Sequence, residues 1–170
     1  MRASEPELPE VLIRPAASVA DREACARLMA SSEPWITLGR SYAASLGLLE
    51  DPTRELYVAE RAGRLVGFVV INMHGLLRGY IQTVCVSHEE RGKRLGTTLI
   101  RGAEDRIFRE SPNVFLCVST FNQDALRLYQ RLGYEVVGEL RDYFVPGHGE
   151  ILMRKTRGPW TGFEPAPRAS

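Results

Sequence analysis

Apolar residues fall along this chain in short runs, and the period of each run names an element. Val11-Leu12-Ile13-Arg14, stopped by Pro15, predicts a short edge strand. Ser18 and Asp21 have the spacing of a capping box, and Cys25, Leu28 and Met29 follow at helical intervals. A second helical pattern, Tyr42, Leu46 and Leu49, follows Gly39-Arg40 and ends near Asp51-Pro52. Leu56 to Glu60 and Leu65 to Ile71 read as two strands joined by the turn Arg61-Ala62-Gly63-Arg64. Asn72 to Arg78 reads as a loop, and Tyr80 to Val86, rich in β-branched and aromatic residues, as a third strand of this group.

Leu95, Leu99, Ala103 and Ile107 recur every fourth residue and predict a helix starting near Gly96, stopped by Ser111-Pro112. Val114 to Val118 is nearly all apolar, as expected of a strand covered on both faces. Ala125, Leu128, Tyr129 and Leu132 predict another helix, with Asn122 as N-cap and Gly133 just past its end. Tyr134 to Leu140 and Ile151 to Arg154 predict two last strands around the turn Pro146-Gly147-His148-Gly149. The order is β-α-α-β-β-β-α-β-α-β-β, without repeat or linker. It predicts one mixed α/β domain over residues 11–155, between an N-terminal tail (1–10) and a C-terminal tail (156–170).

Composition narrows the function classes. The 170 residues suit a single domain, and a net charge of +1 leaves no global cationic field of the kind a dedicated nucleic-acid binder carries. A nucleic-acid reading through Arg91, Lys93, Arg94 and Arg101 also lacks an aromatic stacking platform. Cys25, Cys85 and Cys117 are odd in number, without metal spacing and in apolar surroundings, so we read them as reduced core residues. The acidic, proline-containing start is unlike a signal peptide, and no apolar run approaches a membrane span. The expected location is the cytoplasm, with no membrane, nucleic-acid or metal partner.

The stretch Arg91-Gly92-Lys93-Arg94-Leu95-Gly96-Thr97 lies between a strand and a helix. The first turn of a helix has unpaired N–H groups and the positive end of the dipole. Glycines admit phosphate oxygens, and basic side chains add charge. By itself this describes a basic surface loop equally well. It is not a nucleotide P-loop, because no Gly-Lys-Ser/Thr ends it, and the glycine spacing of a dinucleotide fingerprint fails.

One strand further on stands a second pattern: Asn122, Ala125, Leu128, Tyr129, Gly133 and Tyr134. Together the two stretches resemble the GNAT superfamily of acyl-CoA-dependent N-acyltransferases. Its pattern is Arg/Gln-x-x-Gly-x-Gly/Ala at a helix start, then a strand, then Asn-x-x-Ala-x-x-Leu-Tyr-x-x-x-Gly-Phe/Tyr. The resemblance implies a single α/β (α+β) domain: a mixed, mostly antiparallel sheet of about seven strands with about four helices on both faces, and central strands splayed to hold acyl-CoA. A homodimer is compatible with it. It also implies that N–H groups of residues 91–97 hold the pyrophosphate and that Asn122 bonds the pantetheine arm. It places a backbone donor for the thioester oxygen within Val84-Cys85-Val86, and assigns Tyr129 to protonate the departing thiolate. Arg94 departs from the pattern, which has glycine there. Its guanidinium faces either a CoA phosphate or solvent.

The proton acceptor is the gap. Many relatives, among them the ribosomal-protein alanine acetyltransferases, carry a glutamate five residues before the motif asparagine. Here that position is Cys117, while Gln82 and Thr83 occupy the other usual region. Water, His148, Glu150, His74 and Glu60 remain open as the base. Trp35, Tyr143, His148 and Glu150 are candidates for the acceptor site. The expected activity is acetyl transfer to a primary amine in a ternary complex. The alternative is a non-catalytic acyl-CoA-binding or sensing module.

Overall fold

The structure, a computed structural model, describes residues 10–167. The N-terminal tail expected over residues 1–10 lies, apart from Glu10, outside the described residues, as do the last three residues of the C-terminal tail. Seven strands form one sheet in the order β1-β2-β3-β4-β5-β7-β6: β1 (Val11–Pro15), β2 (Arg54–Arg61), β3 (Arg64–Asn72), β4 (Tyr80–Val86), β5 (Asn113–Ser119), β6 (Glu135–Leu140) and β7 (Glu150–Thr156). Among the described residues there are four α-helices, α1 (Val19–Ala30), α2 (Tyr42–Leu49), α3 (Leu95–Ile107) and α4 (Gln123–Arg131). A short 3-10 turn, His88–Glu90, which hydrophobic periodicity did not predict, joins β4 to the basic loop.

Helices cover both faces because β3 and β5 are apolar on both. Val69 and Ile71 meet the cluster built on Leu95, Leu99, Ala103 and Ile107 of α3, whereas Phe68 and Val70 meet Cys25, Ala26 and Met29 of α1. Helix α1 begins as its spacing predicts. The Ser18 hydroxyl accepts from the Asp21 N–H at 3.1 Å, and the Asp21 carboxylate accepts from the Ser18 N–H at 3.2 Å.

All neighbouring strands are antiparallel except β4 and β5, which run parallel and pair only at Tyr80–Phe115 and Ile81–Leu116. Beyond that point they diverge, as the splayed strands of the resemblance require. Gly79 pins the closed end. Its carbonyl accepts from the Phe115 N–H at 2.9 Å, its φ is +89°, and an added Cβ would stand 2.5 Å from the Asn113 carbonyl oxygen. A register shift in β3–β4 leaves Gln82 as an extra residue between the pairs Ile81–Ile71 and Thr83–Val70, which turns β4 away from β5.

The stretch after β7, expected as a loose tail, folds back on the end of α3. The Arg157 N–H donates to the Pro112 carbonyl at 2.8 Å and its guanidinium stacks 3.9 Å from the Phe108 ring centre. The Ala166 N–H reaches the Arg109 carbonyl at 2.8 Å.

Candidate active site

The divergence of β4 and β5 opens a cleft of about 1370 Å³, walled by β4, the loop after it, the start of α3, the end of β5 and α4. Val84, Cys85, Val86, Arg91, Gly92, Arg94, Leu95, Gly96, Thr97, Asn122 and Tyr129 all line it, although they come from three separate stretches of chain. Trp35, Tyr143 and Glu150 line it as well. Lys93 and His148 do not: Lys93 reaches back to Glu90 at 3.6 Å, and the His148 ring stands edge-on to Phe121.

The basic loop could hold an anion, because of what it leaves unpaired. Helices α1, α2 and α4 are each capped by a side chain, from Ser18, Ser41 and Asn122, whereas Arg94 at the N-cap of α3 makes no side-chain cap. The N–H groups of Gly92, Arg94, Leu95, Gly96 and Thr97 have no acceptor among the described residues. Two N–H groups of the expected cradle are excluded from it. That of Arg91 donates to the His88 carbonyl at 3.2 Å and that of Lys93 to the Glu90 carbonyl at 3.4 Å, both inside the turn. The guanidinium groups of Arg91 and Arg94 are exposed and form no ion pair among the described residues.

Arg94 takes the conformation that the glycine of the pattern would take, φ 66° and ψ 4°. Beneath the loop the Glu90 carboxylate is buried between Arg61 Nη2 at 3.1 Å and Lys93 Nζ at 3.6 Å. The loop is thereby fastened to the β2–β3 hairpin. Nothing in the spacing marked Glu90, because its burial depends on Arg61, nearly thirty positions earlier.

On the β5 side, Asn122 is the N-cap of α4. Its Oδ1 accepts from the Ala125 N–H at 3.3 Å, which leaves its amide N–H groups without an acceptor among the described residues. The backbone groups of β4 that face β5 beyond Ile81 have no strand partner, so a donor from Val84 to Val86 can face the cleft. The side chain of Cys85 itself is turned into the core, where burial pushes its thiol up to about 12.

Tyr129 is fixed from two sides. Helix α4 ends in a Schellman turn, with the Tyr134 N–H donating to the Tyr129 carbonyl and the Gly133 N–H to the Gln130 carbonyl, both at 3.0 Å. Gly133 supplies the φ of +91° that this turn needs. The buried Tyr134 ring then meets the Tyr129 ring edge-on at 5.8 Å. Burial pushes the Tyr129 phenol up to about 12, so it is neutral and carries its proton at physiological pH.

The opposite wall has a different character. Trp35 from the α1–α2 connection, Tyr143 and Phe144 from the β6–β7 loop and Leu77 bring aromatic and apolar surface to the cleft, with Glu33 and Arg40 near Trp35 in sequence. On its floor the Cys117 thiol sits against the Tyr80 phenol, with burial raising the pKa of both. Next to them Ser119 Oγ donates to Glu150 Oε1 at 2.6 Å. Tyr80 and Ser119 were not singled out from the sequence. The alternation of β5 already put Ser119 on the face of Cys117, and that was the signal available.

Residues 19–134 match the acetyltransferase (GNAT) family. Over 147 residues, 82% of this chain and 89% of the relative, it is 31% identical to the N-alpha-acetyltransferase RimI of Mycobacterium tuberculosis. It is 35% identical over 103 residues to an uncharacterised N-acetyltransferase of Methanocaldococcus jannaschii, a match spanning 65% of that protein and 59% of this one. Among solved structures, the ribosomal-protein-S18-alanine N-acetyltransferase of Escherichia coli superposes with a TM-score of 0.70 at 18% identity, covering 88% of this chain and 96% of that one. An aminoglycoside 6'-N-acetyltransferase complexed with coenzyme A superposes at 0.69 and 19% identity, covering 87% and 98%. The solved structures share the fold. The chain belongs to the GNAT acetyltransferase family, and its class is that of the N-acetyltransferases.

Proposed function

We propose that the protein transfers the acetyl group of acetyl-CoA directly to a primary amine. The observation that carries this is the uncapped start of α3, with five N–H groups and two unpaired guanidinium groups at the mouth of a cleft whose inner wall presents a neutral tyrosine. Those groups suit a pyrophosphate. The splayed edge of β4 and the Asn122 amide suit the amide-rich arm that follows it. Holding amine and thioester together supplies proximity, a donor on β4 meets the charge developing on the carbonyl oxygen, and Tyr129 gives its proton to the sulfur.

RimI of M. tuberculosis is named an N-alpha-acetyltransferase, so peptide N-termini stand first among the acceptors to try, ahead of lysine, polyamines and amino sugars. The rival reading, a non-catalytic acyl-CoA-binding module, draws on Cys117 standing where relatives carry a glutamate. The intact cleft tyrosine favours catalysis. The free thiols, with Cys25 and Cys85 buried and Cys117 half-buried, are in keeping with a reducing cytoplasm. Thiol release from acetyl-CoA, assayed against N-terminal peptides and small amines, tests the activity. Tyr129→Phe should slow turnover about 100-fold while calorimetry finds acetyl-CoA affinity unchanged. Unaltered turnover removes Tyr129 from the chemistry.

A further inference from the structure

With Cys117 in place of an acid, four ionisable side chains stood open as the proton acceptor, and the fold separates them. Glu60 is bonded to Arg14 at the β1–β2 edge and does not line the cleft. His148 is turned to Phe121, outside it. His74 lines the cleft but is exposed on the β3–β4 loop. Glu150 is buried and lines the cleft beside Tyr80 and Cys117.

Its burial is of an unusual kind for this molecule. Three glutamates are buried among the described residues: Glu90, Glu104 and Glu150. Glu90 has Arg61 and Lys93, and Glu104 has Lys155 Nζ at 2.7 Å. Glu150 has a hydroxyl, Ser119 Oγ, and no cation among the described residues. The groups around it supply none. Cys117 faces it from β5 and Tyr80 from β4, and Tyr143 of the β6–β7 loop lies beside Tyr80. From β6 the Glu139 carboxylate lies against Gly149, one residue away. A buried carboxylate without a cation takes up a proton or a cation from outside. Oε1 is held by Ser119, and no hydrogen bond engages Oε2 among the described residues, so one oxygen is available in the cleft.

We propose that Glu150 is the residue that receives the ammonium group of the acceptor and takes its proton. The assignment rests on the transferase reading of the cleft. The carboxylate takes one proton from R–NH3+ and becomes a carboxylic acid, which later loses that proton to solvent. The neutral amine forms the C–N bond as the C–S bond breaks. A second N–H proton leaves the nitrogen and replaces the one Tyr129 gives to the sulfur. The products are the amide and the free thiol, with one proton released. Burial raises the Glu150 pKa and the Ser119 hydrogen bond partly offsets that rise, which moves the carboxylate toward the range where a base works near neutrality. The acceptor class that fits is a primary ammonium on an apolar or aromatic stem, since Trp35, Leu77 and Phe144 line the same cleft.

The test is the pH dependence of kcat with saturating amine and acetyl-CoA, for the wild type, Glu150→Gln and Ser119→Ala. Glu150→Gln keeps the shape and the acceptor oxygen toward Ser119. Turnover should fall about 100-fold or more, the inflection on the acid limb should vanish, and calorimetric acetyl-CoA affinity should hold. Ser119→Ala should move that inflection to higher pH, because the hydrogen bond that favours the ionised form is gone. A merely structural serine would leave the inflection in place. An active wild type beside a Glu150→Gln with unchanged turnover and acid limb overturns the assignment alone. A wild type that binds acetyl-CoA and releases no thiol with any amine overturns the transferase reading and the assignment together.

Discussion

A left-handed backbone strains a residue with a Cβ by about 1–2 kcal/mol, and Arg94 holds it with φ at 66°. Glycine in its place would be unstrained, at some loss from the greater freedom of the unfolded chain. The arginine earns its place, on the reading given above, through a guanidinium that no acidic side chain of the described residues occupies. Arg94→Gly should therefore be as stable as the wild type or up to about 1 kcal/mol more stable, and bind acetyl-CoA several-fold more weakly. Denaturant melts and calorimetry measure the two effects separately. Undiminished affinity would leave the arginine as an ordinary surface residue.

Among the elements, α3 is the one left open. Among the described residues three α-helices close their first turns with side chains and α3 does not, which leaves its first turn free for the ligand proposed above. Gly96 in that turn has helical φ, and an added Cβ would meet nothing nearer than Val86 Cγ2 at 3.7 Å. The protein thus has room for alanine there, and alanine suits a helix better by about 0.5–1 kcal/mol. Gly96→Ala should raise the melting temperature and lower acetyl-CoA affinity, since the methyl group would stand in the path of the phosphates. Gly79, at the closed end of β4 and β5, is the opposite case. A Cβ there meets backbone and the Ile107 side chain at 2.6 Å or less, so Gly79→Ala should destabilise by at least about 1–3 kcal/mol. Equal effects of the two substitutions on stability would contradict this division of roles.

Across the molecule, the sheet is two groups of strands joined where β4 and β5 still touch, and the site lies where they part. The far edge is held by ionic contacts. Arg14 of β1 reaches Asp21 of α1 at 2.9 Å and also bonds Glu60 of β2. Arg14 and the N–H groups of Ala17 and Ser18 hold the Asp21 carboxyl well below the usual carboxylate range. A depressed pKa contributes stability that is present above the unfolded value and is lost as pH falls through the folded one. Asp21→Ala should cost about 1–2 kcal/mol at pH 7, a gap that narrows below about pH 4 as the wild type loses the same interaction. Melting curves from pH 7 to 2 test it, and a gap that does not change with pH would assign the loss to packing.

The sequence by itself determined the elements. Helical and strand periods, the Ser18–Asp21 box and the Gly133 stop are local, and each was legible because its physics acts within a few residues. The paired stretches around Gly96 and Tyr129 made the family legible too, since Asn122, Tyr129, Gly133 and Tyr134 form one cap-and-helix unit. Tertiary structure decided what distance along the chain conceals. Glu90 became a buried anchor only by meeting Arg61. Gly79 became the fixed end of the cleft only by meeting Asn113. Lys93 was diverted to Glu90, and His148 to Phe121. Among the candidate bases, sequence spacing weighed four residues alike. Charge burial separated them, and burial without a neighbouring cation is a property of the folded chain.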